Sequence, residues 1–203
     1  MIEKAAISCE ADELGVLEEF RASCSVKEAT AQQLKTEIVI AANLIAETVR
    51  SGGKAIFFGN GGSAADAQHL AAELVGRYAF DRPPVPAIVL HGNASAVTAI
   101  SNDYGYDEVF ARQVQAFAAH GDVVVGISTS GASPNVLKAL QAAKVAGCST
   151  IGLTGEAGRS LMGRFCDVLL VVPSKSTPRI QEAHITIGHV ICGLVERRLF
   201  GRI

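Results

Sequence analysis

The 203 residues contain no uninterrupted apolar run long enough to cross a bilayer, which excludes a membrane-spanning helix. Basic charge is not in excess: 18 Lys and Arg stand against 20 Asp and Glu, for a net charge of −2. That leaves no basic footprint for nucleic acid. The five cysteines (Cys9, Cys24, Cys148, Cys166 and Cys192) are scattered, odd in number and form no CxxC. A disulfide framework is therefore not expected, and the thiols read as buried or incidental. No G-x-x-x-x-G-K-[ST] occurs, so an NTP-binding P-loop is excluded. There is no internal repeat, low-complexity tract or interdomain linker. The opening MIEKAAISCEADELG is too acidic for a signal or transit peptide, and a cytoplasmic location is expected.

What is present is apolar: 49% of residues are hydrophobic and only 19% charged. The length fits one domain over 1–203 with a sizeable core. Residues 11–50 are rich in Ala, Glu, Leu and Lys. They predict two helices broken near 23–25, the second carrying Leu34, Ile38, Ala41, Ala42, Ile45 and Val49 at helical spacing. That face could pack on the sheet or on another subunit. Strands are predicted over 54–58, 87–91, 123–127, 150–153 and 168–172. Helices are predicted from Ser63, over 95–100, 107–119 and 134–146, a short one after 158, and a last one over 179–200. Apolar strands alternating with helices imply an α/β protein with a parallel sheet covered on both faces. In such sheets ligands bind beyond the carboxyl ends of the strands.

Two loops fall at those ends. The first, Gly59-Asn60-Gly61-Gly62, leads into a helix for which Ser63 is a suitable N-cap. Its glycines permit close backbone approach to a ligand. With Ala64 it matches the loose dinucleotide fingerprint, but the second strand ends in Leu90-His91-Gly92-Asn93, without the acid that would hold a ribose. The second loop, Ser128, Thr129, Ser130, Gly131, Ala132 and Ser133, supplies four hydroxyls before a helix with Pro134 at its first position. Hydroxyls, backbone amides and the helix dipole together suit a phosphate monoester.

His69 and Glu73 stand four residues apart, on one face of a helix. The last helix carries Gln181, Glu182, His184 and His189 in an apolar stretch. Gln181 and His189 lie about 80° apart around the axis, and His184 about 60° to the other side of Gln181. Imidazole, carboxylate and amide oxygen would make a mixed site that suits Zn2+, with His184 and His189 equally eligible by spacing. Asn102-Asp103 could contact ligand hydroxyls, and is also plain turn chemistry.

The segments GNGGSAADAQHLAAELVGRY, AISNDYGYDEVFARQV, GDVVVGISTSGASPNVLKAL and RIQEAHITIGH resemble the phosphoheptose isomerases of the sugar-isomerase (SIS) superfamily across nearly the whole chain. The resemblance implies a three-layer, flavodoxin-like SIS domain with a five-stranded parallel sheet and extra N-terminal helices. It implies conversion of D-sedoheptulose 7-phosphate to D-glycero-D-manno-heptose 7-phosphate, the first step toward ADP-heptose for lipopolysaccharide. It further implies a cytoplasmic homotetramer with one Zn2+ per subunit. The family's metal ligands fall on His69, Glu73, Gln181 and His189, and its acid–base pair on Glu73 and His189. Its sugar-phosphate contacts fall on Asn60, Gly61, Gly62, Glu73, Asn102, Asp103, Ser128, Thr129, Ser130, Ser133 and Gln181. Where some relatives carry an acidic residue before the last helix, this chain has Ser174, Ser176 and Thr177. The alternative is a non-catalytic SIS protein that binds a replication initiator, or a phosphosugar-binding regulator. The initiator-binding branch lacks the glutamate at this position, whereas Glu73 is present here.

Overall fold

Strands that are apolar along their whole length need helices on both sides, and the chain builds that arrangement. The computed structural model describes residues 9–201. Helix α1 (Cys9–Arg50) leads to β1 (Ala55–Gly59), α2 (Gly62–Val75), β2 (Ala87–Val89) and α3 (Ala94–Tyr104). A 3-10 turn (Tyr106–Glu108) precedes α4 (Val109–Phe117), β3 (Val123–Ile127), α5 (Pro134–Val145) and β4 (Ser149–Gly155). Short helical turns around α6 (Arg159–Met162) then join β4 to β5 (Val168–Val172), and α7 (Thr177–Phe200) ends the described chain. Among the described residues no helix is long and apolar enough to cross a membrane.

The five strands are parallel, in the order β2-β1-β3-β4-β5. Alternate residues serve opposite faces. Phe57, Val125, Ile127, Ile151 and Leu170 pack under α1, α2 and α7. Ile56, Phe58 and Val124 pack against Val109, Phe110, Val114 and Leu140 of α4 and α5. The chain winds one way from β1 to β2 and the other way from β3 to β5, so the order reverses beside β1. Gly59 at the end of β1 pairs with Ile127 at the end of β3. The two loops singled out above therefore leave the sheet side by side, at the switch point where such folds take ligands.

Three expectations are corrected. The N-terminal region is one 42-residue helix, not two. Ser23, Cys24 and Ser25 are mediocre helix formers, but each is only a few tenths of a kcal/mol worse than Ala, and neither Pro nor Gly stands among them. Its Leu34, Ile38, Ala41, Ala42 and Ile45 are buried in the core, whereas Leu14, Val16, Leu17 and Phe20 are exposed. Helix α2 starts at Gly62 with Gly61 as N-cap at φ +55°, so Ser63 is a buried residue inside the helix and caps nothing. Helix α3 runs through the polar stretch expected as a loop and stops only at Gly105, whose φ of +88° few other residues adopt.

Candidate active site

Helices α2 and α7 lie side by side on one face of the sheet, and glycine sets their distance. A Cβ on Gly188 would stand 2.4 Å from Leu70 Cδ2, so only glycine permits this approach. The neighbours of those two residues are His189 and His69, and their Nε2 atoms come within 2.8 Å. Glu73, one turn along α2, places Oε1 3.3 Å from His69 Nε2. One ligand atom from each of the three lies within 4.8 Å of the others. Two imidazole nitrogens and a carboxylate oxygen, converging with His69 exposed and Glu73 and His189 partly buried, are a donor set that fits a divalent cation such as Zn2+.

His184 goes elsewhere. It is wholly buried, facing the Thr154 backbone carbonyl. Burial lowers its pKa to about 4, a drop that the carbonyl partly opposes. Neither of its nitrogens, nor Thr154 Oγ1, has a well-formed hydrogen bond. Gln181 stands two turns before His189, a rise of about 12 Å along α7. Its amide packs over Gly62, where an added Cβ would lie 2.5 Å from Nε2. The structure thus joins His69, Glu73 and His189 and sets Gln181 at the head of α2.

Around this cluster the fold is braced by groups that spacing did not reveal. Glu196 is buried and accepts the backbone N–H groups of Tyr78, Ala79 and Phe80. Burial raises the Glu196 pKa, but those bonds and Arg82 outweigh it and leave the carboxylate below its usual range. Arg82, equally buried, donates to the carbonyls of Glu73, Leu74 and Gly76. The pair closes the end of α2 that carries Glu73 and sets Tyr78 beside the His189 ring, centroids 5.9 Å apart. Asp66, one turn before His69, has a buried, unpartnered Oδ2, and burial raises its pKa against the pull of His69.

The serine loop is a second centre. Ser128 Oγ lies 3.0 Å from Ser133 Oγ and 3.5 Å from Ser130 Oγ, so three hydroxyls converge. Ser133 occupies the N-cap of α5, but its hydroxyl turns to Ser128 instead of capping a backbone N–H. The Thr129 carbonyl accepts from Gly155 N–H at 3.0 Å, tying the loop to the end of β4. Gly131, at φ +61°, packs on Gly158, where a Cβ would lie 2.3 Å from the neighbouring Cα.

The glycine loop joins the serine loop through side chains. Asn60 pairs with Asn135, two residues beyond Ser133. Tyr106 donates its hydroxyl to Asn60 Oδ1 at 3.0 Å, bringing the segment after α3 over the loop. Asn102 and Asp103 are exposed on the last turn of α3, paired with one another at 2.8 Å. Nothing local in the sequence marks Asn135 or Glu196, because each acts on residues distant in the chain.

The hydroxyl-rich loop and the glycine loop meet at the switch point, and the imidazole–carboxylate cluster stands two turns along α2 from them. The SIS domain family model matches residues 20–155. A phosphoheptose isomerase of Geobacter sp. (strain M21) is 54% identical over 182 residues, covering 90% of this chain and 94% of that protein. The solved phosphoheptose isomerase of Neisseria gonorrhoeae superposes with a TM-score of 0.85 at 42% identity, covering 91% of this chain and 98% of that one. That of Francisella tularensis gives 0.87 at 34%, covering 93% and 98%. The chain belongs to the phosphoheptose isomerase family, and it is an isomerase.

Proposed function

We propose that the protein converts D-sedoheptulose 7-phosphate to D-glycero-D-manno-heptose 7-phosphate through an enediol, at the entry to ADP-heptose and lipopolysaccharide synthesis. The observation that carries this reading is the presence in one SIS domain of a hydroxyl cradle at the head of α5 and of the His69–Glu73–His189 cluster on α2 and α7. From Gly62, at the start of α2 beside the two loops, to His69 is seven helical residues, about 10 Å, a span suited to an extended seven-carbon chain.

The phosphate would sit among Ser128, Thr129, Ser130 and Ser133 at the head of α5, where hydroxyls, amides and the dipole favour an anion. Anchoring that end converts remote binding into positioning of the other. Asn60, Gly61, Gly62, Asn102, Asp103 and Gln181 would hold sugar oxygens. Glu73 would remove the proton from C1 and return it to C2. His189 would protonate the C2 carbonyl oxygen and accept the proton of the C1 hydroxyl. Glu73 Oε1 faces His69, which leaves the second carboxylate oxygen for proton transfer. His69, Glu73 and His189 would hold one Zn2+ per subunit, which would supply Lewis-acid stabilisation of negative charge on oxygen, while Gln181, the family's fourth ligand position, stands over Gly62 at the head of α2.

The protein is assigned to the cytoplasm as a homotetramer, without a nucleic-acid partner. The outward apolar side chains Leu14, Val16, Leu17 and Phe20 support burial of the start of α1 against other copies. The test is incubation of purified protein with sedoheptulose 7-phosphate, with and without chelator, following aldose formation. Glu73→Gln should abolish turnover while inorganic phosphate still competes for the cradle. Unimpaired turnover by that variant would remove Glu73 from the chemistry.

A further inference from the structure

The heads of α2 and α5 are joined by a reciprocal amide pair. Asn60 Nδ2 donates to Asn135 Oδ1 at 2.9 Å, and Asn135 Nδ2 donates to Asn60 Oδ1 at 2.9 Å. An amide pair of this kind satisfies itself equally well with both groups flipped, unless a third group breaks the symmetry. Here the backbone breaks it. The Val136 N–H, which can only donate and is shared with the Ser133 carbonyl at 3.1 Å, gives to Asn135 Oδ1 at 2.9 Å. That fixes the oxygen end of Asn135, so its Nδ2 must meet an acceptor, and Asn60 must present Oδ1 to it. The Tyr106 hydroxyl donates to the same Oδ1 at 3.0 Å. Both acceptor positions of Asn60 are then filled, and one of its N–H groups is engaged. What remains on that side chain is a single N–H. Asn135 is 2% exposed, whereas Asn60 retains open surface.

We propose that Asn135 is a positioning residue that commits Asn60 to act toward the ligand as a hydrogen-bond donor alone. The matching ligand atom is an acceptor oxygen of the sugar, and Tyr106, its own proton given to Asn60, offers lone pairs to a neighbouring sugar hydroxyl. This rests on the reading of Asn60 as a sugar contact. A donor that cannot flip suits a sugar oxygen at the phosphate end, because a fixed contact there holds the reacting end of the chain in register. An unanchored amide would present its own oxygen there part of the time. The polarity of the sugar site is thus set from the first turn of the helix that caps the serine loop.

The test is a double-mutant cycle on the full-length, metal-loaded protein with Asn60→Ala, Asn135→Ala and both, measuring turnover of sedoheptulose 7-phosphate and thermal unfolding. Asn60→Ala should lower kcat about 100-fold, as for misplacement of the reacting end through a lost remote contact. Asn135→Ala should lower kcat about tenfold or more through lost orientation. In the Asn60→Ala background Asn135→Ala should lower kcat no further, because its effect runs through Asn60. Unchanged kcat in Asn135→Ala, or losses that multiply, would overturn the proposal. A merely structural Asn135 would lower Tm and kcat alike in both backgrounds. Should Asn135→Ala fail to fold, Asn135→Ser, which keeps a small polar group beside Val136, takes its place in the cycle. If the wild type itself does not turn over this sugar, the functional reading fails separately. The pair is then judged by Tm: the double variant should lose about 2–4 °C less than the sum of the singles, and strict additivity would refute it.

Discussion

His184 makes a quantitative prediction, because it is an imidazole sealed in the core and unused by the proposed chemistry. In the unfolded chain it binds a proton near its ordinary pKa of 6.5, and in the folded protein only near about 4. Protonation therefore favours the unfolded chain. Above pH 6.5 nothing is lost, and as the pH falls from 6.5 toward 4 folded stability declines. The slope approaches about 1.4 kcal/mol per pH unit, and the full loss is about 3 kcal/mol. That is a large part of the 5–15 kcal/mol typical of a folded domain. The assay is urea unfolding at fixed protein concentration between pH 7 and 5, on metal-free protein, for wild type and His184→Leu. Removing metal separates this effect from loss of a bound ion in acid. His91, also lowered by burial, contributes with the same sign but is common to both proteins. Carboxylates held low by their partners, such as Glu196 and Asp122, lose their contribution only at more acid pH. The wild-type curve should fall more steeply than the variant's between pH 6.5 and 5. Parallel curves would refute the reasoning, whatever the absolute stability of the variant.

Gly131→Ala combines a left-handed backbone with contacts of 2.3 Å to Gly158 Cα and 2.7 Å to Thr154 Oγ1. Strain and overpacking together should cost about 2–5 kcal/mol, lowering Tm by about 5–15 °C and weakening competition by inorganic phosphate. Gly62→Ala should separate stability from activity. Its Cβ meets only the end of the Gln181 side chain, so Tm should hold within about 2 °C while turnover falls as that amide is displaced. Thiol reactivity should follow burial: Cys166 and Cys192 are pushed up to about 12 and Cys148 is also raised, whereas Cys24 is exposed. In a Cys9→Ser background a thiol reagent at mild pH should label Cys24 quickly and the other three only after denaturation, as mass spectrometry of the labelled protein would read.

The parts of this fold that could be read in advance are those decided locally. The strands β3 and β5 have the bounds their apolar runs imply, since buried parallel strands show as unbroken hydrophobic stretches. His69 and Glu73 fall on one helix face by spacing alone. Boundaries failed where one residue type serves two structures. Asn102, Asp103 and Tyr104 read as a turn yet form the end of a helix, and Ser63 reads as a cap yet is buried one residue inside. The choice between His184 and His189 could not come from angles about one axis, because it depends on which side of α7 meets α2 and which meets β4. Asn135 and Glu196 were illegible for the same reason: their partners lie 75 and more than 100 residues away.

The close seating of Gly188 on Leu70 has a consequence for how the family's sequence can drift. Two parallel rods held in contact behave like meshed racks, with Gly62 against Gln181 at one tooth and His69 against His189 at another. Inserting a single residue between positions 181 and 189 would swing the distal imidazole about 100° around its rod and drive a side chain into the space Gly188 leaves open. The interval between those two positions is therefore a fixed gauge, and length changes must be absorbed in the loops outside it.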